Sequence, residues 1–211
     1  PPRSTLFPYT TLFRSKIYAA YYNDNHFNSP NDLVFDSKGN LYFTDPRYSG
    51  HEPIEQPVNG VYKVTPDRKV ELLTGMISMP NGIGLSPDEK ILYVVCNDET
   101  DPATNPSDKL KGNFIAKFLL HENSPMEYLG KLVSFTYPTG PDGIQVDSEG
   151  NIWAAIREEA APYIGKYDPE GNELFRIPLP EVPSNLCFGK GKFSDYLFIT
   201  AGGSLYKYKL K

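Results

Sequence analysis

Long apolar runs are missing from this sequence. No stretch could cross a lipid bilayer, which predicts a soluble protein without a membrane partner. Clusters of Lys and Arg are also missing, and a formal net charge of −5 at pH 7 argues against a nucleic-acid partner. The only two cysteines, Cys96 and Cys187, each lie inside an apolar strand pattern, so we expect two buried free thiols. They leave the compartment open between the cytoplasm and the periplasm or secretion.

Two catalytic signatures are absent as well. The sequence contains no G-x-S-x-G nucleophile elbow, and it has no cluster of His, Cys and Glu with the spacing of a zinc site. Covalent acyl-enzyme chemistry is therefore disfavoured.

What the sequence does contain is a repeat. An acidic or amide residue opens an alternating apolar run, a turn rich in Ser, Asp and Gly follows, and a second apolar run closes the unit. The openers are Asn31, Asn81, Asp142 and Asn185. Their spacing of roughly 40 to 60 residues is typical of propeller blades. Period-2 alternation around turn residues indicates that each copy is a β-hairpin.

Further alternating segments add strands to each hairpin. They are 60–64 with 70–73, 114–118 with 128–132, 164–167 with 173–177, and finally 204–208. Four strands make one propeller blade. The 20 Pro, 17 Gly and 13% aromatic residues agree with an all-β protein. We therefore predict an all-β propeller in which this chain supplies about four blades and a remnant.

The first fifteen residues differ from the rest of the chain. Thr5 to Ser15 matches the translation of a common sequencing-library adapter codon for codon, so we interpret residues 1–15 as an artefact. The propeller domain then covers residues 16–211. Lys16 to Tyr22 alternates apolar and polar residues, which predicts the outer strand of a blade whose earlier strands precede this chain.

The openers also suggest chemistry. Inner strands line the channel of a propeller, so Asn31, Asn81 and Asp142 are expected to converge from consecutive blades. One carboxylate with two amide oxygens suits Ca²⁺ or a similar hard divalent ion. The alternative is that these residues cap strand ends as turn formers. Asn185 fits the same register and is expected to be structural, and the connection 97–112 is expected to be largely solvated.

A family resemblance rests on several ordered motifs. They are Ser29–Val34 (SPNDLV), Tyr42–Pro46 (YFTDP), Asn59–Tyr62 (NGVY), Pro80–Ile83 (PNGI), Pro141–Ile144 (PDGI) and Leu197–Thr200 (LFIT). From about Lys16 to the C-terminus the chain resembles the gluconolactonase / senescence-marker-protein (regucalcin) family. The resemblance implies a six-bladed propeller with one divalent metal in its central channel.

The resemblance also assigns site residues. It makes Asn81 and Asp142 metal ligands and Asn31 a ligand or a substrate contact. A glutamate ligand from the family's first blade has no counterpart here, and Ser29 stands where animal members carry an arginine. Arg47, Tyr48 and His51, on the loop after a predicted inner hairpin, are candidate substrate-binding residues, and His26 is a further candidate.

The implied reaction is metal-dependent opening of a sugar lactone such as gluconolactone. The metal polarises the carbonyl, water attacks, and Asp142 orients or deprotonates that water. Calcium is the expected ion, with zinc, magnesium or manganese as alternatives. Two other functions stay open: a phosphotriesterase-like or other lactone hydrolase on the same propeller, and a non-catalytic propeller that binds calcium or another ligand.

An incomplete propeller ring should affect how the chain behaves in solution. Six blades of about 45 to 50 residues need roughly 300 residues, more than this chain provides, so strand edges that ring closure hides are left exposed. We expect the 211-residue chain, expressed alone, to self-associate or to be unstable. Light scattering during size-exclusion chromatography checks this expectation, and cooperative melting of a monomer would contradict it.

Overall fold

A computed structural model describes residues 16–51, 53–98, 108–122 and 125–210. The segment predicted to be adapter-derived, residues 1–15, lies outside these ranges, as does most of the connection between residues 97 and 112. The described chain is all-β, as predicted, with one 3-10 turn at Gly191–Phe193. None of its helices is long and apolar enough to cross a membrane.

The strands form successive antiparallel meanders. Their bounds are β1 Tyr21–Tyr22, β2 Asn25–His26, β3 Leu33–Phe35, β4 Leu41–Asp45, β5 Gly60–Val64, β6 Val70–Thr74, β7 Pro80–Leu85, β8 Ile91–Asn97, β9 Asn113–Leu119, β10 Glu127–Phe135, β11 Gly140–Val146, β12 Ile152–Arg157, β13 Tyr163–Tyr167, β14 Glu173–Pro178, β15 Pro183–Phe188, β16 Tyr196–Ala201 and β17 Ser204–Lys209. Blade 1 contains β3 to β6, blade 2 contains β7 to β10, blade 3 contains β11 to β14, and blade 4 contains β15 to β17.

The first strands of neighbouring blades lie against one another. Strand β3 contacts β7, β7 contacts β11, and β11 contacts β15. This arrangement is that of four consecutive propeller blades, and it confirms the predicted hairpins and the additional strands.

The predicted outer strand over Lys16–Tyr22 is wrong. Only Tyr21–Tyr22 is a strand, and it pairs with Asn25–His26 in a short hairpin. Asn23 and Asp24 take positive φ angles of 51° and 65° at the turn. Asn and Asp tolerate this left-handed conformation, which two-residue hairpin loops require, so the local turn chemistry prevails over the alternating pattern.

The core lies between the blades. One cluster joins Val61 of blade 1 to Ile83 and Phe114 of blade 2, and similar clusters fill the spaces between blades 2 and 3 and between blades 3 and 4. Cys96 is fully buried in the first of these clusters, as predicted.

The prediction of a buried thiol is wrong for Cys187, which is exposed. Side chains alternate along a strand, and the neighbouring Leu186 takes the face of β15 that packs against blade 3. Cys187 therefore points to the opposite face of blade 4, which is open in the described chain.

A five-residue D-x-x-G-N turn occurs three times in the described chain. It spans 36–40, 147–151 and 168–172, and in each copy the amide N–H of the Asn donates to Oδ1 of the Asp. The Gly before each Asn has φ between 82° and 93°, where a side chain is strained. The turn therefore closes three hairpins by the same local hydrogen bonds.

In the copy at Asp147 the turn is also connected to the core. Trp153 Nε1 donates to Asp147 Oδ2 at 2.9 Å, and Lys166 Nζ lies 3.1 Å from the same oxygen. Burial alone would raise the pKa of Asp147, but the hydrogen bonds from Trp153 and Asn151 and the contact with Lys166 hold the pKa below its usual value.

Replacing Asp147 by Asn should destabilise the protein by about 1–3 kcal/mol at neutral pH, because the buried partners lose a charged acceptor. A carboxyl with a lowered folded pKa stabilises above its unfolded pKa and loses that contribution as the pH falls through the folded pKa. The difference between wild type and Asp147→Asn should therefore shrink in acid. Urea denaturation at several pH values measures it, and Asp168→Asn, in the exposed copy of the turn, is the matched control. Equal losses for the two variants at neutral pH would contradict the special role of Asp147.

Neighbouring inner strands approach so closely that two positions accept only glycine. A Cβ added to Gly82 would lie 2.4 Å from the carbonyl oxygen of Asp142, and one added to Gly143 would lie 2.3 Å from Asn185 Oδ1. The obstacle at Gly82 is backbone, and at Gly143 the Cα of Asn185 lies 2.9 Å away behind the Asn185 side chain, so in both cases backbone atoms would have to move. The glycines of PNG and PDG are therefore required by packing between blades.

Substitution of Gly82 by Ala should cost about 1–3 kcal/mol, because β7 and β11 must move apart. Gly203→Ala is the control, since a Cβ there meets no atom within 4 Å. Thermal melting of both variants compares the two costs. A Gly82→Ala protein as stable as the control would show that the inner strands separate easily.

Candidate functional site

The inner strands share a bulge that sets the direction of their opening residues. In β7, Pro80 pairs with Cys96 and Ile83 pairs with Val94, which leaves one extra residue on β7. In β11, Pro141 and Ile144 flank the same irregularity. A bulge re-aims side chains locally, and here the re-aimed residues include Asn81 and Asp142.

The same register corrects the position of the fourth opener. In β15 the shift lies between Pro183 and Asn185, so Ser184 is the counterpart of Asn81 and Asp142. Asn185 instead accepts a hydrogen bond from the N–H of Leu186 at 2.8 Å. Asp32 does the same with Leu33 at 2.9 Å. The opener register assigned to Asn185 is therefore off by one residue, and Asn185 corresponds to Asp32.

The openers of the first three blades meet at one cavity of about 460 Å³. It is lined by Asn31, Tyr48, Met79, Asn81, Asn97, Asp98, Asp142 and Arg157. The cavity thus contains the three residues proposed as metal ligands and two of the four proposed substrate-binding residues, Asn31 and Tyr48.

The remaining candidates do not line this cavity. Arg47 precedes Tyr48 on the loop after β4, and His51 is exposed three residues further on. His26 lies outside the cavity, where its Nδ1 is 2.9 Å from Glu55 Oε1.

Two charged residues of the cavity were not predicted from the sequence. Asp98, only 5% exposed, follows β8, and Arg157 ends β12. In an antiparallel hairpin the end of the second strand lies beside the start of the first, so Asp98 lies near Asn81 and Arg157 near Asp142. The predicted hairpins already implied that the ends of the second strands lie beside the openers. Asp98 was overlooked because residues 97–112 were interpreted as a largely solvated connection.

The segment ahead of Asn31 is fixed by a buried carboxylate. Asp45, fully buried at the end of β4, accepts hydrogen bonds from the N–H groups of Asn28 and Ser29 at 2.8 and 2.7 Å. The N–H of Asn31 then donates to the carbonyl of Thr44 at 2.9 Å. Burial raises the pKa of Asp45, although its two backbone donors act in the opposite direction. These bonds hold Asn31 at the cavity.

Blades 1 and 2 are linked directly beside the cavity. The Thr44 hydroxyl donates to the carbonyl oxygen of Asn81 at 2.7 Å. The hydroxyl of Tyr48 lies 3.4 Å from the carbonyl of Met79, and burial raises the pKa of Tyr48. Although 44% of the Tyr48 residue is exposed, its hydroxyl also has the Asn81 side chain as a hydrogen-bond partner. The wall is therefore held by bonds between blades.

Asp142 has two side-chain partners in the cavity. Arg157 Nη1 donates to its Oδ2 at 2.8 Å, and the Asn81 side chain is a second hydrogen-bond partner. Burial raises the pKa of Asp142, and the Arg157 and Asn81 contacts offset part of that rise. The carboxylate thus has one cationic partner and one amide partner.

The donor set suits a hard cation. Asn31 and Asn81 offer amide oxygens and Asp142 offers a carboxylate, the ligand types that calcium and magnesium prefer. Soft metals prefer thiolate, and Cys96 lies in the core cluster. Across the described ranges, no group of three or more His, Cys, Asp or Glu side chains could hold a metal ion. A metal at this cavity would therefore depend on the amide oxygens.

Comparison with known proteins places these features in a family. The family model described as SMP-30/Gluconolactonase/LRE-like region matches residues 6–203, a range that begins within the segment predicted to be adapter-derived. A gluconolactonase from Zymomonas mobilis is 34% identical over 197 residues, covering 90% of this chain and 52% of the relative. The chain thus spans about half the length of that relative.

Solved structures of related proteins support the same family. A gluconolactonase from Xanthomonas campestris superposes with a TM-score of 0.74 at 27% identity, covering 92% of this chain and 60% of that one. The calcium-binding protein regucalcin from Agrobacterium tumefaciens superposes with a TM-score of 0.59 at 26% identity, covering 81% of this chain and 52% of that one. Together with the repeated inner strands and the family match over most of the chain, these similarities show that the chain belongs to the SMP-30/gluconolactonase/LRE-like family.

Proposed function

We propose that this chain forms part of a metal-dependent hydrolase that opens a sugar lactone, such as gluconolactone, by attack of water. The observation that carries the proposal is the convergence of Asn31, Asn81 and Asp142 on one cavity from three blades. The gluconolactonases among its relatives supply the reaction class. The small-molecule partner is then the lactone itself.

Asn31, Asn81 and Asp142 would hold the cation. A divalent ion at these oxygens supplies polarisation of the lactone carbonyl and stabilises the negative charge that develops on its oxygen. Calcium is the preferred candidate because all three donors are hard oxygens and because the Agrobacterium relative is a calcium-binding protein. Zinc, magnesium and manganese are the alternatives.

Asp142 also orients the attacking water. Its carboxylate is 17% exposed at the cavity wall, so it can accept a water proton and return it to the ring oxygen that leaves. Asn31 and Tyr48 contact the lactone from the adjoining wall. Arg47 and His51 follow β4 but do not line the cavity, so their role in binding the lactone stays a prediction from the sequence.

The complete ring would contain six blades. The described chain forms four, and it covers 60% of the Xanthomonas gluconolactonase chain. Two further blades are consistent with that proportion. They would enclose the cavity from the side that is open here.

Two other functions deserve direct comparison. A phosphotriesterase-like or different lactone hydrolase would use the same metal and water but another substrate. A calcium- or ligand-binding propeller would keep the oxygens without turnover. The cavity of about 460 Å³, with Tyr48 in its wall beside the proposed metal ligands, favours hydrolysis, because a purely structural ion needs no adjoining substrate space.

Removal of the metal or of the Asp142 charge should abolish lactone hydrolysis. For Asp142→Asn in the full-length protein we expect a loss of about 100-fold or more in kcat/KM, since both the ligand and the proton acceptor are weakened. Chelation should have a similar effect that added calcium reverses.

Proton release from gluconolactone measures the rate, and phosphotriester and other lactone substrates measured in parallel identify the substrate class. Asp168→Asn serves as the control, because Asp168 lies in an exposed turn outside the cavity. Hydrolysis that persists in both chelator and Asp142→Asn would refute the metal-hydrolase proposal. Calcium binding without hydrolysis of any tested ester would favour the non-catalytic propeller.

A further inference from the structure

Arg157 has no role in the proposed reaction, yet it forms an ion pair with Asp142 in the cavity. It is the last residue of β12 and pairs with Gly140 at the start of β11. Its Nη1 lies 2.8 Å from Oδ2 of Asp142. The Arg157 side chain is 45% exposed, whereas that of Asp142 is 17% exposed. A half-exposed cationic side chain is therefore paired with a largely buried carboxylate.

The guanidinium takes a place that a metal ion would need. Calcium bonds to carboxylate oxygens at about 2.3–2.6 Å and often uses both oxygens of one carboxylate. Here one of the two oxygens already accepts the Arg157 proton at 2.8 Å. A divalent ion on Asp142 and a guanidinium at its present distance would be only a few ångströms apart. Repulsion between like charges is strong at that range inside a protein.

We infer that Arg157 is a tethered counter-ion for Asp142 that a divalent cation has to displace. This inference rests on the metal site of the proposed function. Arg157 neutralises the carboxylate while no cation is bound, and it leaves Oδ2 when one binds. The affinity of the site for a divalent cation is lower than its oxygens alone would give.

The surroundings of the pair support displacement. Among the described residues the only side-chain hydrogen bond of Arg157 is the one to Asp142, so the position of the guanidinium depends on that bond. Its partial exposure leaves room for the side chain to turn towards solvent. Asp98 lines the same cavity, and Asp32 interacts electrostatically with Asp142. A divalent ion therefore replaces the single positive charge of Arg157 within an acidic environment.

Calcium affinity of the full-length protein tests the inference without any lactone. We expect Arg157→Gln, which keeps an N–H donor but removes the charge, to lower the calcium Kd by about tenfold or more in titration calorimetry. Arg157→Lys keeps the charge and should stay within about threefold of wild type. Arg157→Ala should lower the calcium Kd in the same way as Arg157→Gln. If one of the two variants does not fold, the calcium Kd of the other still tests the inference.

A matched control lies in the same blade. Arg176→Gln removes one arginine charge from β14, where Arg176 pairs with Glu173, and it should leave the calcium Kd unchanged. If the two neutral variants at position 157 bind calcium no more tightly than wild type, or more weakly, the inference is overturned and Arg157 instead positions Asp142 for the ion.

Failure of the inference can be told apart from failure of the proposed function. Absence of calcium binding in wild type and all variants overturns both the inference and the metal site. Tighter binding by Arg157→Gln together with no lactone hydrolysis by wild type supports the inference and removes the hydrolase proposal alone. Lactone hydrolysis that depends on calcium, with equal Kd values for wild type and Arg157→Gln, removes the inference alone.

Discussion

The site depends on how closely the first strands of neighbouring blades approach. Gly82 and Gly143 allow this approach because each lies where a side chain would strike the next inner strand. The residue before each glycine, Asn81 or Asp142, is thereby brought to the cavity. Packing between blades and the placement of Asn81 and Asp142 at the cavity thus follow from one geometric constraint, and both depend on the P-N-G and P-D-G motifs.

Hydrogen bonds between sequence-distant residues complete the cavity wall. The Thr44 hydroxyl joins blade 1 to the backbone of Asn81, and Asp45 anchors the segment that leads to Asn31. Both residues come from the T-D pair that ends β4. The buried polar groups of Thr44 and Asp45 are therefore occupied by hydrogen bonds that hold the cavity wall. The motif over residues 42–46 supports the cavity in this way, although none of its residues lines it.

Much of the fold follows from local patterns in the sequence. Alternating runs and turn residues identified the strands of all four blades, because each blade is a meander of consecutive hairpins and needs no distant pairing. The convergence of Asn31, Asn81 and Asp142 followed from the repeat. Arg157 and Asp98 were missed because they end second strands, where the repeat has no fixed polar residue. The exposure of Cys187 depends on which face of blade 4 has a neighbour, and a strand pattern contains no such information.

The bulge in the inner strands separates two kinds of residue position. Beyond it, Ile83, Ile144 and Leu186 return to the regular alternation and pack in the core. At it, three blades carry an amide, a carboxylate and a hydroxyl at equivalent positions: Asn81, Asp142 and Ser184. Exchange of such a residue alters the polar group that its blade presents at this position without altering the hydrophobic volume between the sheets. The polar group can therefore be changed one blade at a time, and these positions are suitable for redesign in the laboratory.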